Sequence, residues 1–358
     1  SWSPPHFIHK IEKISPKILN TGSREKENFA YLFRFIGGIN RIQEGEAMKI
    51  TVLDGKALNP GDLKWDEISR EGEFTLFDYT AKDEVIDRIG ESEIVITNKT
   101  VIDKEVMDAC PSIRYICVLA TGYNTVDTAY AEKKGILVSN VPSYAKDSVS
   151  QYTMALLLEL CHHIGHHDRE VKKGRWKDTW CFWDYPLLEL KGKTMGIIGM
   201  GAIGERTAEL ASAFGMEVIC YSRTVKEGWR NVSLPSLFAL SDVISLHCPL
   251  TDVTKGIIRK ENIEKMKDGV FIINTGRGGL VVEEDLKEAL ESGKVGGAAV
   301  DVVSTEPIKE DNPLLSAPNC IITPHMAWGS REARERIISI TAENIRAYKG
   351  GAPINLVK

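Results

Sequence analysis

From Met48 onward, short apolar runs alternate with segments whose apolar residues recur at helical spacing. The strand-like runs of the first half are K-I-T-V-L, E-I-V-I-T, Y-I-C-V-L and I-L-V-S-N, and those of the second half include T-M-G-I-I-G, E-V-I-C-Y, D-V-I-S-L and V-F-I-I-N. Strands that alternate with helices favour parallel pairing with helical crossovers. The pattern therefore predicts α/β architecture with doubly wound sheets.

The two series of strands and helices differ in length, which indicates two domains. A long helical pattern begins near Asp147, which is well placed to cap it, and a last helix is predicted from Arg331 to Tyr348, before Gly350. We expect the last helix to return to the first domain, and a ligand to bind in a cleft between the domains. Residues 1–47 precede the first methionine, Met48, and are interpreted as an N-terminal extension or an expression leader.

The stretch G-M-G-A-I-G places Gly199, Gly201 and Gly204 directly after a predicted strand and at the start of a helix. The first glycine allows a tight turn, the second lets the backbone approach a pyrophosphate, and the third lets helix and strand pack closely. The free amides of the helix N-terminus then face the phosphates. This context predicts a Rossmann dinucleotide-binding domain at residues 147–329, inserted into a flavodoxin-like substrate-binding domain made of residues 48–146 and 330–358.

The composition and net charge of the chain limit the classes of partner that can be expected. The chain has 358 residues, 43% of them hydrophobic and 27% charged, with a formal net charge of -5, so nothing indicates binding to a nucleic acid backbone. No apolar run approaches the roughly 20 residues that span a bilayer. The seven cysteines are scattered and mostly lie in apolar segments, which favours reduced core thiols in a cytoplasmic protein.

The cluster C-H-H-I-G-H-H, Cys161 to His167, raises the question of a metal site. His162 and His166 are one helical turn apart, as are His163 and His167. The four rings would nevertheless divide between two helix faces, and no Glu or further Cys nearby completes a zinc set. We therefore interpret the cluster as a packed or interfacial helix end, without a metal.

Three polar side chains follow successive predicted strands of the second half. They are Arg277 in N-T-G-R-G-G-L, Glu306 in S-T-E-P and His325 in T-P-H-M-A-W. The carboxyl ends of parallel strands are where open α/β proteins bind their ligands. His247, in L-H-C-P-L, also follows a strand and is a second candidate for an acid/base.

Five motifs in this order, G-M-G-A-I-G, L-H-C-P-L-T, I-N-T-G-R-G-G-L-V, G-G-A-A-V-D-V-V-S-T-E-P and T-P-H-M-A-W, resemble those of the D-isomer-specific 2-hydroxyacid dehydrogenases. The resemblance runs from about Met48 to Val357, and within the family it is greatest to the glycerate dehydrogenase and hydroxypyruvate reductase branch. It implies a nicotinamide-dependent enzyme in which Arg277 grips the substrate, His325 is the acid/base and Glu306 orients the histidine.

The same resemblance implies further binding residues. Asp301 would hold the nicotinamide amide, Thr275 and Cys248 would line the cofactor, and Ala202 and Ile203 would lie over the pyrophosphate. The substrate carboxylate would meet Thr121 and Gly122 of L-A-T-G-Y-N, with Lys99 nearby. His247 would lie along the cofactor instead of at the chemistry. Lys99 fits a solvated loop lysine equally well.

At the end of E-V-I-C-Y stand Ser222, Arg223 and Thr224, where NAD-dependent enzymes place an acid that binds the ribose hydroxyls. A serine removes the repulsion between that acid and a 2′-phosphate, and the arginine, with Lys226 close by, offers charge-assisted hydrogen bonds. The segment predicts a preference for NADP over NAD. The alternative is that Arg223 only stacks on adenine and that NAD is used as well.

The expected substrates are short 2-oxoacids, hydroxypyruvate or glyoxylate, because Trp328 narrows the pocket if it points inward. Larger oxoacids are the first alternative, and a nucleotide-sensing scaffold resembling the C-terminal-binding corepressors is the second. The segment Trp176 to Tyr185 contains three tryptophans and resembles the dimer-forming arm of the family, so a homodimer is expected.

Overall fold

The computed structural model describes residues 47–357, so the interpretation of residues 1–47 falls outside the described residues except for Ala47. The described chain divides into two compact units. One contains the chain up to Tyr144 together with the segment from Arg334 onward, and the other is Ala145–Ala333. The boundaries predicted from the sequence lie after residues 146 and 329.

The first unit is built on a five-stranded parallel sheet. Its strands are β1 (Lys49–Val52), β2 (Glu73–Leu76), β3 (Ile94–Thr97), β4 (Tyr115–Val118) and β5 (Leu137–Ser139). Their order in the sheet is β2-β1-β3-β4-β5, which is the flavodoxin-like doubly wound order. β3 and β4 are buried at every position, as central strands covered on both faces should be.

Short helices connect these strands. They are α1 (Gly55–Leu58), α2 (Asp66–Ser69), α3 (Val85–Ile89), α4 (Lys104–Ala109) and α5 (Thr128–Lys134). Asp103 starts α4 because its carboxylate accepts a hydrogen bond from the Val106 amide, and Asp127 starts α5 in the same way with the Tyr130 amide. α5 ends at Gly135, whose φ of 70° suits glycine.

The second unit contains a seven-stranded parallel sheet. Its strands are β6 (Thr194–Ile198), β7 (Glu217–Tyr221), β8 (Arg230–Asn231), β9 (Val243–Leu246), β10 (Val270–Asn274), β11 (Val295–Val300) and β12 (Cys320–Ile322). The order is β12-β11-β10-β9-β6-β7-β8. Counted from β6 this is the Rossmann order with one further strand at an edge, so the predicted fold class is confirmed.

Helices pack on both faces of this sheet. They are α6 (Lys146–His162), α7 (Ile164–Lys172), α8 (Ala202–Ala213), α9 (Leu234–Leu240), α10 (Lys260–Ile263) and α11 (Glu283–Glu291). The predicted cap of α6 was wrong. Ala145 occupies the cap position, and Asp147 lies inside the first turn, where its charge still favours the helix dipole.

The last helix, α12 (Arg331–Lys349), joins the first unit, although it follows the second in sequence. Arg334 forms two hydrogen bonds of 2.7 Å with the Asp62 carboxylate. The ring of Tyr348 stacks on that of Tyr115, with centroids 4.3 Å apart. The first unit therefore needs both ends of the described chain.

Within residues 47–357, no helix combines the length and apolar character that crossing a membrane requires. All seven cysteines are free thiols. Four are buried and Cys181 is exposed. The buried thiols agree with the expected core positions, but Cys181 is not a core residue.

Candidate active site

The turn between β6 and α8 has the geometry that its three glycines predict. Gly199 has a φ of +100°, and a Cβ there would lie 2.5 Å from the Cys248 amide nitrogen. A Cβ on Gly204 would lie 2.1 Å from the Gly199 carbonyl oxygen, so only glycine lets the helix pack this closely. Gly201 instead faces open space, with nothing within 4 Å of its Cβ position.

This turn fits a dinucleotide pyrophosphate. Gly201 is the N-cap of α8 and provides no side chain that could occupy the space above it. The amides of Ala202, Ile203 and Gly204 belong to the first turn, which has no intrahelical acceptors. Ala202 is exposed and Ile203 is half-buried. An anion can therefore approach the backbone directly.

The segment after β7 carries an exposed cationic side chain, that of Arg223. Arg223 and Thr224 are exposed, and Ser222 donates its hydroxyl hydrogen to the Thr224 carbonyl oxygen. Lys226 is less available than the sequence suggested, because its Nζ lies 3.1 Å from Oε2 of Glu205 in the first turn of α8. Among the described residues, Arg223 has no carboxylate partner.

Arg277 lies on a turn after β10 that the Asn274 side chain shapes. Asn274 Nδ2 donates to the Arg277 carbonyl at 2.9 Å, and its Oδ1 accepts from the Gly276 amide at 3.0 Å. The guanidinium is exposed, and its Nη1 donates to the Gly276 carbonyl at 2.8 Å. A Cβ on Gly278 would lie 1.9 Å from the Val303 carbonyl. The arginine turn therefore packs directly against the segment after β11.

Glu306 lies on that segment, and a buried acid fixes the loop around it. Glu283, the first residue of α11, is only 7% exposed. Its Oε1 accepts from the Ser304 amide at 2.7 Å, while its Oε2 accepts from the Ser304 hydroxyl at 2.7 Å and from Asn312 Nδ2 at 3.0 Å. The loop is thus held from both sides of Glu306.

The central contact of the site joins His325 to Glu306. His325 Nδ1 lies 2.6 Å from Glu306 Oε2, and Glu306 Oε1 accepts from the Val303 amide at 3.3 Å. The two side chains are 29% and 36% exposed, so a ligand can reach them. With Nδ1 on the carboxylate, Nε2 is the nitrogen that can exchange a proton with a ligand. The carboxylate fixes the tautomer and stabilises the imidazolium.

Asp301 holds the loop that carries the histidine. This carboxylate is 1% exposed. Its Oδ1 accepts from the Thr323 hydroxyl at 2.6 Å and from the Met326 amide at 2.9 Å, and its Oδ2 accepts from the Ala327 amide at 2.8 Å. A carboxylate offers about four acceptor positions, so a bond to the nicotinamide amide would use the last.

Trp328 has a partner that the sequence did not suggest. Its indole Nε1 donates to the carbonyl oxygen of His325 at 2.9 Å. The side chain was expected to narrow the substrate pocket if it pointed inward. The observed bond instead commits its polar edge to the backbone of the histidine.

The remaining predicted cofactor residues follow β9 and β10, at the edge of the seven-stranded sheet that also carries Arg277 and His325. His247 Nε2 is 2.8 Å from the Ser245 hydroxyl, and burial lowers the pKa of His247 to about 4. Thr275 shares a 3.1 Å hydrogen bond with Thr153, and Cys248 abuts Gly199. A histidine that stays neutral at neutral pH is a poor proton donor, so His247 is less suited to acid catalysis than His325.

In the first unit, Asp54 shapes the loop of Lys99. This buried carboxylate accepts from the amides of Asn98, Lys99 and Thr100 at 2.8, 2.6 and 2.7 Å. The Thr100 hydroxyl adds a fourth bond at 3.0 Å. The backbone of the loop is therefore fixed, while the Lys99 side chain is exposed.

Thr121 and Gly122 follow β4, the neighbour of β3 in the same sheet. The Thr121 hydroxyl donates to the Val141 carbonyl at 2.9 Å and can still accept a hydrogen bond. Gly122 is half-buried. Because Lys99 follows β3, all three substrate-binding candidates of the first unit lie at one edge of its sheet.

The histidine cluster packs against the tryptophan-containing arm, residues 176–185. His166 Nε2 is 2.6 Å from Asp184 Oδ2, and His167 Nε2 accepts from the Asp184 amide at 3.2 Å. Arg175 also binds this carboxylate, at 2.5 and 2.9 Å, and holds the pKa of Asp184 well below its usual range. Among residues 47–357, no three His, Cys, Asp or Glu side chains form a set suited to a metal.

The structure brings the three catalytic candidates to one sheet edge, because Arg277, Glu306 and His325 follow the adjacent strands β10, β11 and β12. Of these three candidates, Glu306 and His325 are the two whose side chains are in contact within the described part of the chain. Sequence reasoning missed Glu283, and it named Trp328 for the size of the pocket but not for its bond to His325. An acid at the start of a helix, or a tryptophan three residues after a histidine, gives only a weak local signal for these roles.

The chain belongs to the D-isomer-specific 2-hydroxyacid dehydrogenases, a family of α/β oxidoreductases. Residues 154–327 match the family model described as "D-isomer specific 2-hydroxyacid dehydrogenase, NAD binding domain". The matched segment contains the glycine turn, Arg277, Glu306 and His325. The protein is thus a D-2-hydroxyacid dehydrogenase that uses a nicotinamide cofactor.

Two relatives and one solved structure each match 87% of this chain. A hydroxypyruvate reductase of Blautia hydrogenotrophica is 54% identical over 320 residues, covering 87% of this chain and 99% of that protein. A glycerate dehydrogenase of Methylorubrum extorquens is 37% identical over 315 residues, covering 87% and 99%. A solved acyclic imino acid reductase in complex with NADPH and D-Arg aligns with a TM-score of 0.77 at 32% identity, covering 87% of this chain and all of that one.

Proposed function

We propose that this enzyme reduces hydroxypyruvate to D-glycerate and glyoxylate to glycolate. The observation that carries the proposal is the 2.6 Å contact between His325 and Glu306 on the nucleotide-binding unit. It provides an oriented acid/base next to a turn that carries the exposed side chain of Arg277. The similarity to a hydroxypyruvate reductase at 54% identity supports this substrate class.

His325 is assigned the proton transfer. When bound, the reduced nicotinamide supplies the hydride that reaches the carbonyl carbon of the substrate. His325 Nε2 delivers a proton to the carbonyl oxygen, and the ring then takes a proton from solvent before the next turnover. Glu306 stabilises the charged ring through Nδ1, so the proton to be transferred is the one on Nε2. In the reverse reaction the neutral ring accepts the hydroxyl proton.

Arg277 is assigned the substrate carboxylate and the carbonyl oxygen. Its planar guanidinium matches a carboxylate through two parallel hydrogen bonds, which a lysine ammonium cannot provide. In the first unit, Lys99, Thr121 and Gly122 are assigned to substrate binding as well. A small substrate with an α-carboxylate offers few atoms to grip, so the arginine supplies most of the orientation.

We assign the cofactor to the edge of the second sheet around the glycine turn, and we propose that NADPH is preferred over NADH. The residues assigned to it are Gly199, Gly201, Ala202, Ile203, Gly204, Ser222, Arg223, Thr224, Cys248, Thr275 and Asp301. The preference is supported by the exposed Arg223 and by a serine at the position where an acid would repel a 2′-phosphate. The Lys226–Glu205 ion pair makes Arg223 the main cation available there.

We propose a homodimer formed through the arm of residues 176–185. Trp180 is 98% exposed, and Trp176, Trp183 and Leu187 are also exposed. Neighbouring aromatic side chains at a surface favour a protein interface. Analytical ultracentrifugation tests this: the wild-type protein should sediment as a dimer and Trp180→Asp as a monomer, and a monomeric wild type would contradict it.

We also propose that the enzyme works in the cytoplasm. Its seven thiols are all free, and free thiols persist in reducing compartments. Fractionation of cells that express the native gene would show the activity with cytoplasmic markers if this is correct.

A panel of 2-oxoacids with both reduced cofactors tests the substrate class. Hydroxypyruvate and glyoxylate should give kcat/KM values at least about tenfold above those for phenylpyruvate and 2-oxoisovalerate, equivalent to about 1.4 kcal/mol. A preference for the larger acids would favour the alternative of a reductase for bulky substrates. Tight cofactor binding with no oxoacid turned over would favour a nucleotide-sensing scaffold and contradict the proposal.

A further inference from the structure

We propose that Trp328 is a positioning residue that holds His325 in a left-handed backbone conformation and thereby keeps its ring on Glu306. The proposal rests on the proposed function only for its kinetic readout. Its structural readout is independent of any substrate. The observation that carries it is the hydrogen bond from the Trp328 indole to the backbone carbonyl of the histidine itself.

The backbone of His325 is in a conformation that its residue type disfavours. Its φ is 52°, in the left-handed region, which non-glycine residues occupy at a cost in free energy. Such a residue stays there only when its surroundings fix it. The contacts around the histidine should therefore include groups whose function is to impose this conformation.

The amide side of His325 is fixed by backbone acceptors. Its amide nitrogen lies 2.8 Å from the carbonyl oxygen of Asp301 and 3.0 Å from that of Thr323. The following amides, those of Met326 and Ala327, bind the Asp301 carboxylate. Asp301 thus fixes the chain before and after the histidine.

The carbonyl side is fixed by Trp328. The peptide plane between His325 and Met326 has two polar groups. The Met326 N–H donates to the Asp301 carboxylate at 2.9 Å, and the Trp328 indole N–H donates to the His325 carbonyl at 2.9 Å. Both groups of the plane are therefore held. Loss of the indole bond would free one of them, and the histidine could relax towards an ordinary backbone region.

That relaxation would move the imidazole away from Glu306. The side chain direction follows from φ and ψ, so a rotated peptide plane changes where the ring points. The contact between Nδ1 and Oε2 is 2.6 Å long, and hydrogen bonds weaken steeply with distance and angle. Trp328 would therefore act on the chemistry through His325, without touching the substrate.

Trp328→Phe tests the proposal, because it removes the N–H donor and keeps an aromatic ring. We expect kcat for hydroxypyruvate to fall about tenfold to a hundredfold, as small displacements of a catalytic group do, while the Kd for NADPH stays unchanged. Trp65→Phe is the matched control, since Trp65 lies in the first unit against Phe74, and it should leave kcat unchanged. Unchanged kcat in Trp328→Phe would overturn the proposal.

A double-mutant comparison separates positioning from general damage. In a His325→Ala background, Trp328→Phe should have no further effect on the residual rate, because the group it positions is absent. An equal loss in both backgrounds would show that Trp328 acts by another route and would overturn the proposal.

A crystal structure of Trp328→Phe provides the readout that needs no substrate. We expect His325 to leave the left-handed region and its Nδ1 to lose the hydrogen bond to Glu306. An unchanged histidine would overturn the proposal even if the wild type reduced no 2-oxoacid, an outcome that would separately contradict the proposed function. If Trp328→Phe does not fold, benzothienylalanine at position 328 keeps the bicyclic ring, replaces N–H by sulfur and tests the same bond.

Discussion

Nδ1 of His325 and Oε2 of Glu306 lie 2.6 Å apart, although the two residues come from loops that follow different strands, β12 and β11. Each loop is fixed by its own buried acid, Asp301 for the histidine and Glu283 for the glutamate. The pair is therefore positioned by hydrogen bonds within the protein itself, which is the preorganisation that acid/base catalysis requires.

The first prediction concerns Glu306. Glu306→Gln keeps the shape of the side chain but cannot stabilise an imidazolium, so kcat for hydroxypyruvate reduction should fall on the order of 100-fold or more. Glu310→Gln makes the same chemical change on an exposed residue of the same loop and should leave kcat unchanged. Steady-state kinetics at saturating NADPH measure both, and equal values for Glu306→Gln and wild type would remove the glutamate from the mechanism.

The second prediction separates charge from geometry at Arg277. Arg277→Lys keeps the positive charge but loses the planar fork, so kcat/KM for hydroxypyruvate should fall about 100-fold, or roughly 3 kcal/mol. Arg259→Lys is the control, because Arg259 pairs with Glu261 at the surface. If the lysine variant retained wild-type kcat/KM, the assignment of the substrate carboxylate to Arg277 would be wrong.

The third prediction addresses cofactor choice. The wild type should prefer NADPH by at least about tenfold in kcat/KM, or about 1.4 kcal/mol. Ser222→Asp combined with Arg223→Ala introduces repulsion and removes the cation, so the ratio should reverse in favour of NADH. The ratio of the two cofactors in one protein sample is its own control for folding. Equal or better use of NADH by the wild type would support the alternative that Arg223 stacks on adenine.

The fourth prediction separates two glycines of one turn. Gly204→Ala should destabilise the protein by about 1–3 kcal/mol, because its Cβ would lie 2.1 Å from the Gly199 carbonyl oxygen. Gly201→Ala should leave the unfolding free energy unchanged, since its Cβ would meet open space, but should raise the Kd for NADPH about tenfold or more. Denaturant unfolding and fluorescence titration measure the two effects. The opposite assignment of effects would contradict the proposed location of the pyrophosphate.

The fifth prediction concerns stability and pH. The imidazole of an unfolded His247 takes up a proton as the pH falls below about 6.5, whereas burial lowers the pKa of the folded residue to about 4. Between these values the unfolded chain binds more protons, so stability falls as the pH falls. His247→Gln should lessen the loss between neutral pH and about pH 5 by up to about 2 kcal/mol. Identical pH dependence of stability in His247→Gln and wild type would contradict the effect of burial.

The fold could be predicted because its signals are local. Runs such as Ile94–Thr97 and Val270–Asn274 are apolar except for a polar last residue, and the structure buries each residue of both strands. The glycine turn could be predicted for the same reason, since Gly199 and Gly204 act within a few residues. The cap of α6 was misplaced because Asp147 is equally favourable in a first turn, and its side chain does not decide where the helix begins.

The interior of the site could be predicted only in part. Arg277, Glu306 and His325 follow strand ends, and their motifs are visible in the sequence. The groups that hold them act across large separations along the chain, as Glu283 does on Ser304. A buried acid cannot be distinguished from an exposed one by a pattern of residue types, because its burial depends on tertiary packing. The hydrogen bond from Trp328 to the His325 carbonyl could not be predicted either, because the direction of a side chain depends on how it packs.

The role of His325 as the acid/base is tested by the kcat for hydroxypyruvate reduction in His325→Gln, compared with wild type, His247→Gln and His162→Gln under saturating NADPH. We expect a loss on the order of 100-fold or more in His325→Gln, with D-glycerate as the wild-type product and unchanged turnover in His162→Gln. Wild-type turnover in His325→Gln together with its loss in His247→Gln would show that His325 is not the acid/base and would move this role to His247.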